Sequence, residues 1–219
     1  MKRLVAATGN DGKVRELRQL LRGAPVELVS LRDASLAGRA PVAFPEEGGD
    51  YRANALAKAR AVAAQWGIAA IADDSGLEVD ALDGAPGPYS ARYGGAGLSD
   101  AERVARLLDA LRDVPPPRRG ARFVCVAALA VPGAGGAVDA TSADGVCAGA
   151  IATRASGGGG FGYDPVFVPA GVEAVASHAT AGARTMAEVG DAVKDRISHR
   201  ARAVAALVQT RTWESWLST

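Results

Sequence analysis

A run of small apolar residues, Ile68-Ala69-Ala70-Ile71-Ala72, leads straight into two carboxylates, Asp73 and Asp74, then Ser75 and Gly76. The apolar run reads as a buried strand that stops at the first acid. In open α/β sheets the crevice beyond the carboxyl end of a strand is where ligands sit. Two acids there can hold a hard cation through oxygen, or one of them can act as a base. Asp, Ser and Gly are also ordinary turn residues, so the same stretch suits a polar turn. The rest of the chain has to decide between the two.

Length and charge narrow the classes. At 219 residues the chain is one large domain or two lobes sharing a sheet, and 48% hydrophobic residues can fill its core. A formal net charge of +1 leaves no general footprint for nucleic acid or an anionic membrane, so phosphate chemistry has to come from local Lys and Arg. Cys125 and Cys147 have no metal-like spacing and suit a reducing compartment. Two lone histidines, His178 and His199, argue against zinc. No segment reads as a secretory leader or a membrane span, and the expectation is a cytoplasmic protein that binds neither nucleic acid nor membrane.

In chain order, Leu4–Ala7 reads as a strand, and Val14, Leu17 and Leu21 mark a helix after it. Between them lies Thr8-Gly9-Asn10-Asp11-Gly12-Lys13. A helix start carrying a lysine binds phosphate through backbone N–H groups, the helix dipole and a full charge. The glycine spacing is too short for a P-loop, and Val14 replaces its hydroxyl residue. Val26–Leu31 suggests a second strand, and residues 34–45 look irregular. A helix follows over about 50–66, with Asp50, Asn54 and Lys58 on one face. Residues 77–82 alternate like a half-exposed strand. Ser99-Asp100-Ala101-Glu102 is a capping box opening a helix. Arg122–Val131 is a long strand, and 137–153 looks like two strands parted near Asp144-Gly145. Gly157–Gly160 and Phe161-Gly162-Tyr163-Asp164-Pro165 precede a strand at Val166–Val168; such glycines let a flat ligand approach the backbone. Thr185–Glu188 reads as a second capping box. The last helix starts at Lys194, and His199 and Arg200 fall off its apolar stripe.

Six motifs occur in order: Thr8-Gly9-Asn10-x-x-Lys13, Asn54-Ala55-x-x-Lys58-Ala59, Ala72-Asp73-Asp74-Ser75-Gly76, Pro86-Gly87-x-Tyr89-Ser90-Ala91-Arg92, Phe161-Gly162-Tyr163-Asp164-Pro165 and Ile197-Ser198-His199-Arg200. Together the chain resembles the inosine triphosphatase family of non-standard purine nucleoside triphosphate pyrophosphatases, bacterial RdgB type. The resemblance implies a homodimeric α/β enzyme with a long mixed β-sheet flanked by helices, in two lobes with a substrate cleft between them. It implies magnesium-dependent hydrolysis of ITP, dITP and XTP to the monophosphate and pyrophosphate. It carries the phosphate loop onto Thr8, Gly9, Asn10, Asp11, Gly12 and Lys13, and the catalytic acid onto Asp74, with Asp73 beside it and Ser75 touching substrate. The metal-binding glutamate falls on Glu46, with Glu47 the alternative, alongside Asp73 and Asp74. Base recognition falls on Phe161, Gly162, Tyr163 and Asp164, and a last binding cluster on Lys194, His199 and Arg200.

Chemically, Lys13 and Lys58 can neutralise a polyphosphate, and Asp74 is the candidate base for the attacking water. Which aspartate binds metal and which takes the proton stays open. Hypoxanthine and xanthine present an oxygen where adenine presents an amino group. Arg200 and His199 can offer donors to that oxygen, and Phe161 can stack on the ring.

Overall fold

The computed structural model describes residues 1–45, 48–172 and 184–219. It is a mixed α/β structure. The strands are β1 (Lys2–Ala6), β2 (Val26–Ser30), β3 (Ala70–Val79), β4 (Pro86–Gly87), β5 (Gly120–Pro132), β6 (Val138–Ile151) and β7 (Phe167–Pro169). The helices are α1 (Asp11–Leu20), α2 (Tyr51–Trp66), α3 (Asp100–Ala110), α4 (Asp191–Ile197), α5 (His199–Leu207) and α6 (Arg211–Ser218). The strands form one sheet in the order β2-β1-β3-β5-β6-β7, with β4 on β3. β1 runs parallel to both β2 and β3, while β3–β4 and β6–β7 are antiparallel. No helix among the described residues is long and apolar enough to cross a membrane.

Two compact units divide the chain. One comprises Met1–Asp74, Cys125–Gly145 and His199–Thr219; the other comprises Ser75–Val124 and Val146–Ser198. In the first, side chains alternate along each strand, as a pleated backbone requires. Leu4 and Ala6 of β1, Ile71 of β3, and Cys125, Ala127 and Leu129 of β5 join one apolar cluster with Val14 and Leu17 of α1 and Ala203, Val204 and Leu207 of α5. Val5, Ala70, Ala72, Val126, Ala128 and Ala130 join a second with Ala55, Ala59, Val62 and Ala63 of α2. The sheet is therefore buried on both faces here, which is why its strands read as unbroken apolar runs. The second unit has its own core of Leu77, Val79, Leu107, Leu111, Phe123 and Phe167, with the two phenylalanine rings 4.6 Å apart. The capping box at Ser99 and Glu102 starts α3 as the sequence suggests.

Four elements differ from the sequence reading. The strand expected to stop at Ala72 continues to Val79, so Asp73, Asp74, Ser75 and Gly76 lie inside it. Residues 138–151 form one strand, not two. Glu188 accepts from the Thr185 N–H at 2.8 Å, as a capping box would have it, yet only a turn follows. The final helix is broken at Ser198 and again before Arg211.

Candidate active site

The continuation of β3 through the acids has a direct chemical result. With a period of two, Asp73 points to the same face as Ile71, toward α1 and α5, and Asp74 to the face of Ala70 and Ala72, toward α2. Each carboxylate therefore meets a different set of partners.

Asp73 is 1% exposed. Its Oδ2 accepts from Arg200 Nη2 at 2.9 Å and Nε at 3.3 Å, and pairs with Lys13 Nζ at 3.0 Å. The Arg200 Nη1 donates to Glu16 of α1. Burial on its own would raise the Asp73 carboxyl, but the charges of Arg200, Lys13 and Lys58 outweigh it and hold the group well below the usual carboxylate range. Arg200 is itself 1% exposed. Burial disfavours its charge, and Asp73 and Glu16 more than offset that. The Cys125 thiol lies 3.9 Å from Asp73 Oδ2, and burial, with that carboxylate beside it, pushes the thiol above its ordinary range. One oxygen of Asp73, Oδ1, is buried with no hydrogen-bond partner among the described residues.

Asp74 is also buried. Its Oδ1 accepts from Lys58 Nζ at 2.8 Å and its Oδ2 from Asn54 Nδ2 at 2.9 Å. Both donors stand on α2, four residues apart and thus one turn apart on one face. Asp50, the third residue of that face in the sequence, instead caps the helix by accepting from the Arg52 and Ala53 N–H groups. Asn54 also grips the chain before α2, donating to the Gly48 carbonyl and accepting from its N–H, both at 2.9 Å.

The loop between β1 and α1 is closed by two side-chain hydrogen bonds. Asn10 caps α1, its side chain accepting from the Lys13 N–H at 3.1 Å, and Thr8 Oγ1 accepts from the Asn10 N–H at 3.2 Å. Asn10 and Asp11 are exposed, so the positive end of α1 faces solvent. Lys13 bridges this loop to the acids, because its ammonium sits on Asp73.

A second cluster lies in the other unit. Asp164 Oδ2 accepts from Lys194 Nζ at 2.5 Å and from the Phe161 N–H at 2.9 Å. The Lys194 ammonium stands 5.1 Å from the centre of the Phe161 ring. Gly162 donates its N–H to Asp100 at 2.7 Å. Tyr163 is buried, and its hydroxyl donates to the Ser90 carbonyl at 2.9 Å. It thereby holds the turn to the Pro86–Arg92 loop. Ser75 is half-buried on β3, next in chain to Asp74.

Of the residues singled out from sequence, Lys13, Lys58, Asp73, Asp74 and Arg200 come together in the first unit, and Phe161, Asp164 and Lys194 in the second. His199 is buried at the start of α5. Glu46 and Glu47 lie outside the described residues. Two contributors went unassigned from sequence. Asn54 had a signal, being one helical turn before Lys58. Glu16 had one as well: a carboxylate between Val14 and Leu17 on the buried side of α1 needs a cation, and Arg200 is that cation.

Residues 4–210 match the Ham1 family. The chain belongs to the Ham1 family. It is 46% identical to the dITP/XTP pyrophosphatase of Mycobacterium tuberculosis over 209 residues, covering 94% of this chain and 93% of that protein. It is 38% identical to the dITP/XTP pyrophosphatase of Oceanobacillus iheyensis over 222 residues and the whole of both chains. Among solved structures, a HAM1 protein from Coxiella burnetii superposes with a TM-score of 0.75 at 34% identity, covering all of both chains. The Ham1 match spans both buried clusters described above.

Proposed function

We propose that this Ham1-family chain is a nucleoside triphosphate pyrophosphatase that hydrolyses the deaminated purine nucleotides ITP, dITP and XTP to the monophosphate and pyrophosphate. The observation that carries the reading is Asp74, a buried carboxylate gripped by Lys58 and Asn54, one residue along β3 from a carboxylate bound to the Lys13 phosphate loop.

The roles divide as the two faces of β3 divide. Asp73, held charged by Arg200 and Lys13, is a weak proton acceptor and serves to fix Lys13. Asp74 takes the proton of the attacking water. The water oxygen bonds to the nucleoside's own phosphorus, the linkage to the next phosphate breaks, and pyrophosphate leaves. Lys13 and the N-terminus of α1 neutralise the charge that develops on it.

The donor set suits magnesium, which prefers oxygen ligands and takes one or two carboxylates together with phosphate oxygens and water. Asp73 Oδ1 is a buried acceptor with no partner among the described residues, and Asp74 retains lone pairs beyond its two hydrogen bonds. These two residues would hold the ion, and when bound it would neutralise phosphate charge. Glu46 or Glu47 is a further oxygen donor.

The purine falls to Phe161, worth about 1–3 kcal/mol by stacking, and to the donors of the Lys194 ammonium beside that ring. A purine with an oxygen at position six accepts from such donors. Adenine offers an amino group there, and each buried donor left unpaired costs about 1–3 kcal/mol. Arg200, turned onto Asp73 and Glu16, holds the acid in place and does not read the base. We place the protein in the cytoplasm as a homodimer, so light scattering should give twice the 22.2 kDa chain mass.

The test is a panel of nucleotides with magnesium. Purified protein should release pyrophosphate from ITP, dITP and XTP far faster than from ATP. Asp74→Asn should lower kcat by about 10²-fold or more, the scale of a lost general base. Release of orthophosphate would overturn the bond assignment, and saturable binding without turnover would make the protein a sensor.

A further inference from the structure

The outer side of α1 carries a feature that the reaction does not use. Arg15, Arg18 and Arg22 are spaced three and four residues apart, so they share one side of the helix and the turn after it. They line a groove of about 650 Å³ together with Gln19, Ser30 and Asp11. All three arginines are exposed. None forms an ion pair among the described residues. The carboxylates nearby are engaged elsewhere: Asp11 pairs with Arg32 at 3.3 Å, and Asp33 is held chiefly by the Ser35 N–H and hydroxyl, with Arg18 a smaller influence.

Cations near a helix C-terminus favour the dipole, which accounts for Arg18 and Arg22. It does not account for Arg15 in the first half of α1, nor for three like charges gathered in one concavity, where they repel. The chain's net charge is only +1, so this excess is local. The volume falls within the range of about 300–1,000 Å³ typical of small-molecule sites. Guanidinium forks bind phosphate oxygens in pairs, and Gln19 and Ser30 add neutral donors.

We infer that this groove, which borders the Lys13 loop at Asp11 but is built on the Arg15, Arg18 and Arg22 side of α1, is a second phosphoanion site that takes a diphosphate group. The diphosphate can be free pyrophosphate or the tail of a nucleotide. Titration calorimetry without magnesium, with inorganic pyrophosphate and with ADP, tests the site on the full chain and on an Arg15→Ala/Arg18→Ala/Arg22→Ala variant. The variant should bind one fewer pyrophosphate per chain than the parent, while its turnover of ITP stays within about twofold. A site that also takes ADP, and more tightly, assigns the ligand as a nucleotide; a site that takes pyrophosphate alone assigns the inorganic ion. Equal pyrophosphate stoichiometry in parent and variant overturns the inference. The readout is a difference in binding sites, so it holds whether or not ITP proves to be the substrate.

Discussion

Asp73 and Asp74 share a backbone but not an environment, because a strand sends successive side chains to opposite faces. One is locked by Arg200 and Lys13, the other by Lys58 and Asn54. Removing one partner of a buried ion pair leaves an uncompensated charge and costs about 3–5 kcal/mol. Arg200→Met should therefore destabilise the fold by about that much in urea unfolding, since Glu16 loses the Arg200 guanidinium and Asp73 keeps only Lys13. Lys58→Met strips the cation from Asp74, and its kcat should fall by more than its KM changes; a change confined to KM would place Lys58 in ground-state binding alone. The residue types of the site were legible in the sequence. The division of labour was not, because Asp, Ser and Gly look like a turn and concealed that β3 carries on past them. Had the period of two been extended through Asp74, the opposite faces would have followed at once.

Among the elements, α1, α2 and α3 were legible from apolar spacing and caps, whereas β6 was not. Asp144-Gly145 carries a turn signal, yet the chain stays extended there. Gly145 serves a different need: a Cβ at this position would lie 2.1 Å from the His199 carbonyl oxygen and 2.4 Å from the Ala203 nitrogen. The glycine lets β6 lie against the start of α5, which presents Arg200. Asp144 is likewise occupied, pairing with Arg52 of α2 at 2.6 Å. Gly145→Ala should cost about 1–3 kcal/mol, as overpacking does, and should lower activity by shifting α5. Circular dichroism melts with parallel assays check both effects. Loss of the α1 cap in Asn10→Ala should cost about 1 kcal/mol and, on the proposed mechanism, weaken substrate binding, because the same side chain shapes the β1–α1 loop.

At the level of the whole molecule, the buried charges tie stability to acidity. Asp73 has its folded pKa held below its unfolded value of about 3.9. In acid the unfolded chain therefore binds the proton that the folded chain refuses. The stabilisation is complete above about pH 4 and drains away as pH falls toward the folded pKa. Urea unfolding at pH 7 and pH 3 should show a steeper loss for the parent than for Asp73→Asn, in which this titration is absent. Equal losses would assign acid sensitivity to other carboxylates.

The Arg200 contacts also bear on how the protein is made. Arg200 reaches Asp73 across 127 residues and Glu16 across 184. A ribosome has released most of the chain before α5 exists, and until then Asp73 can pair with Lys13 but neither Asp73 nor Glu16 has Arg200 to bury against. The nascent protein thus holds the β1–α1 loop and both acids long before Arg200 can lock them together. Hydrolytic competence should arrive only once α5 has emerged, so that translation products truncated before Arg200 are inert toward the nucleotides of the cell that is making them.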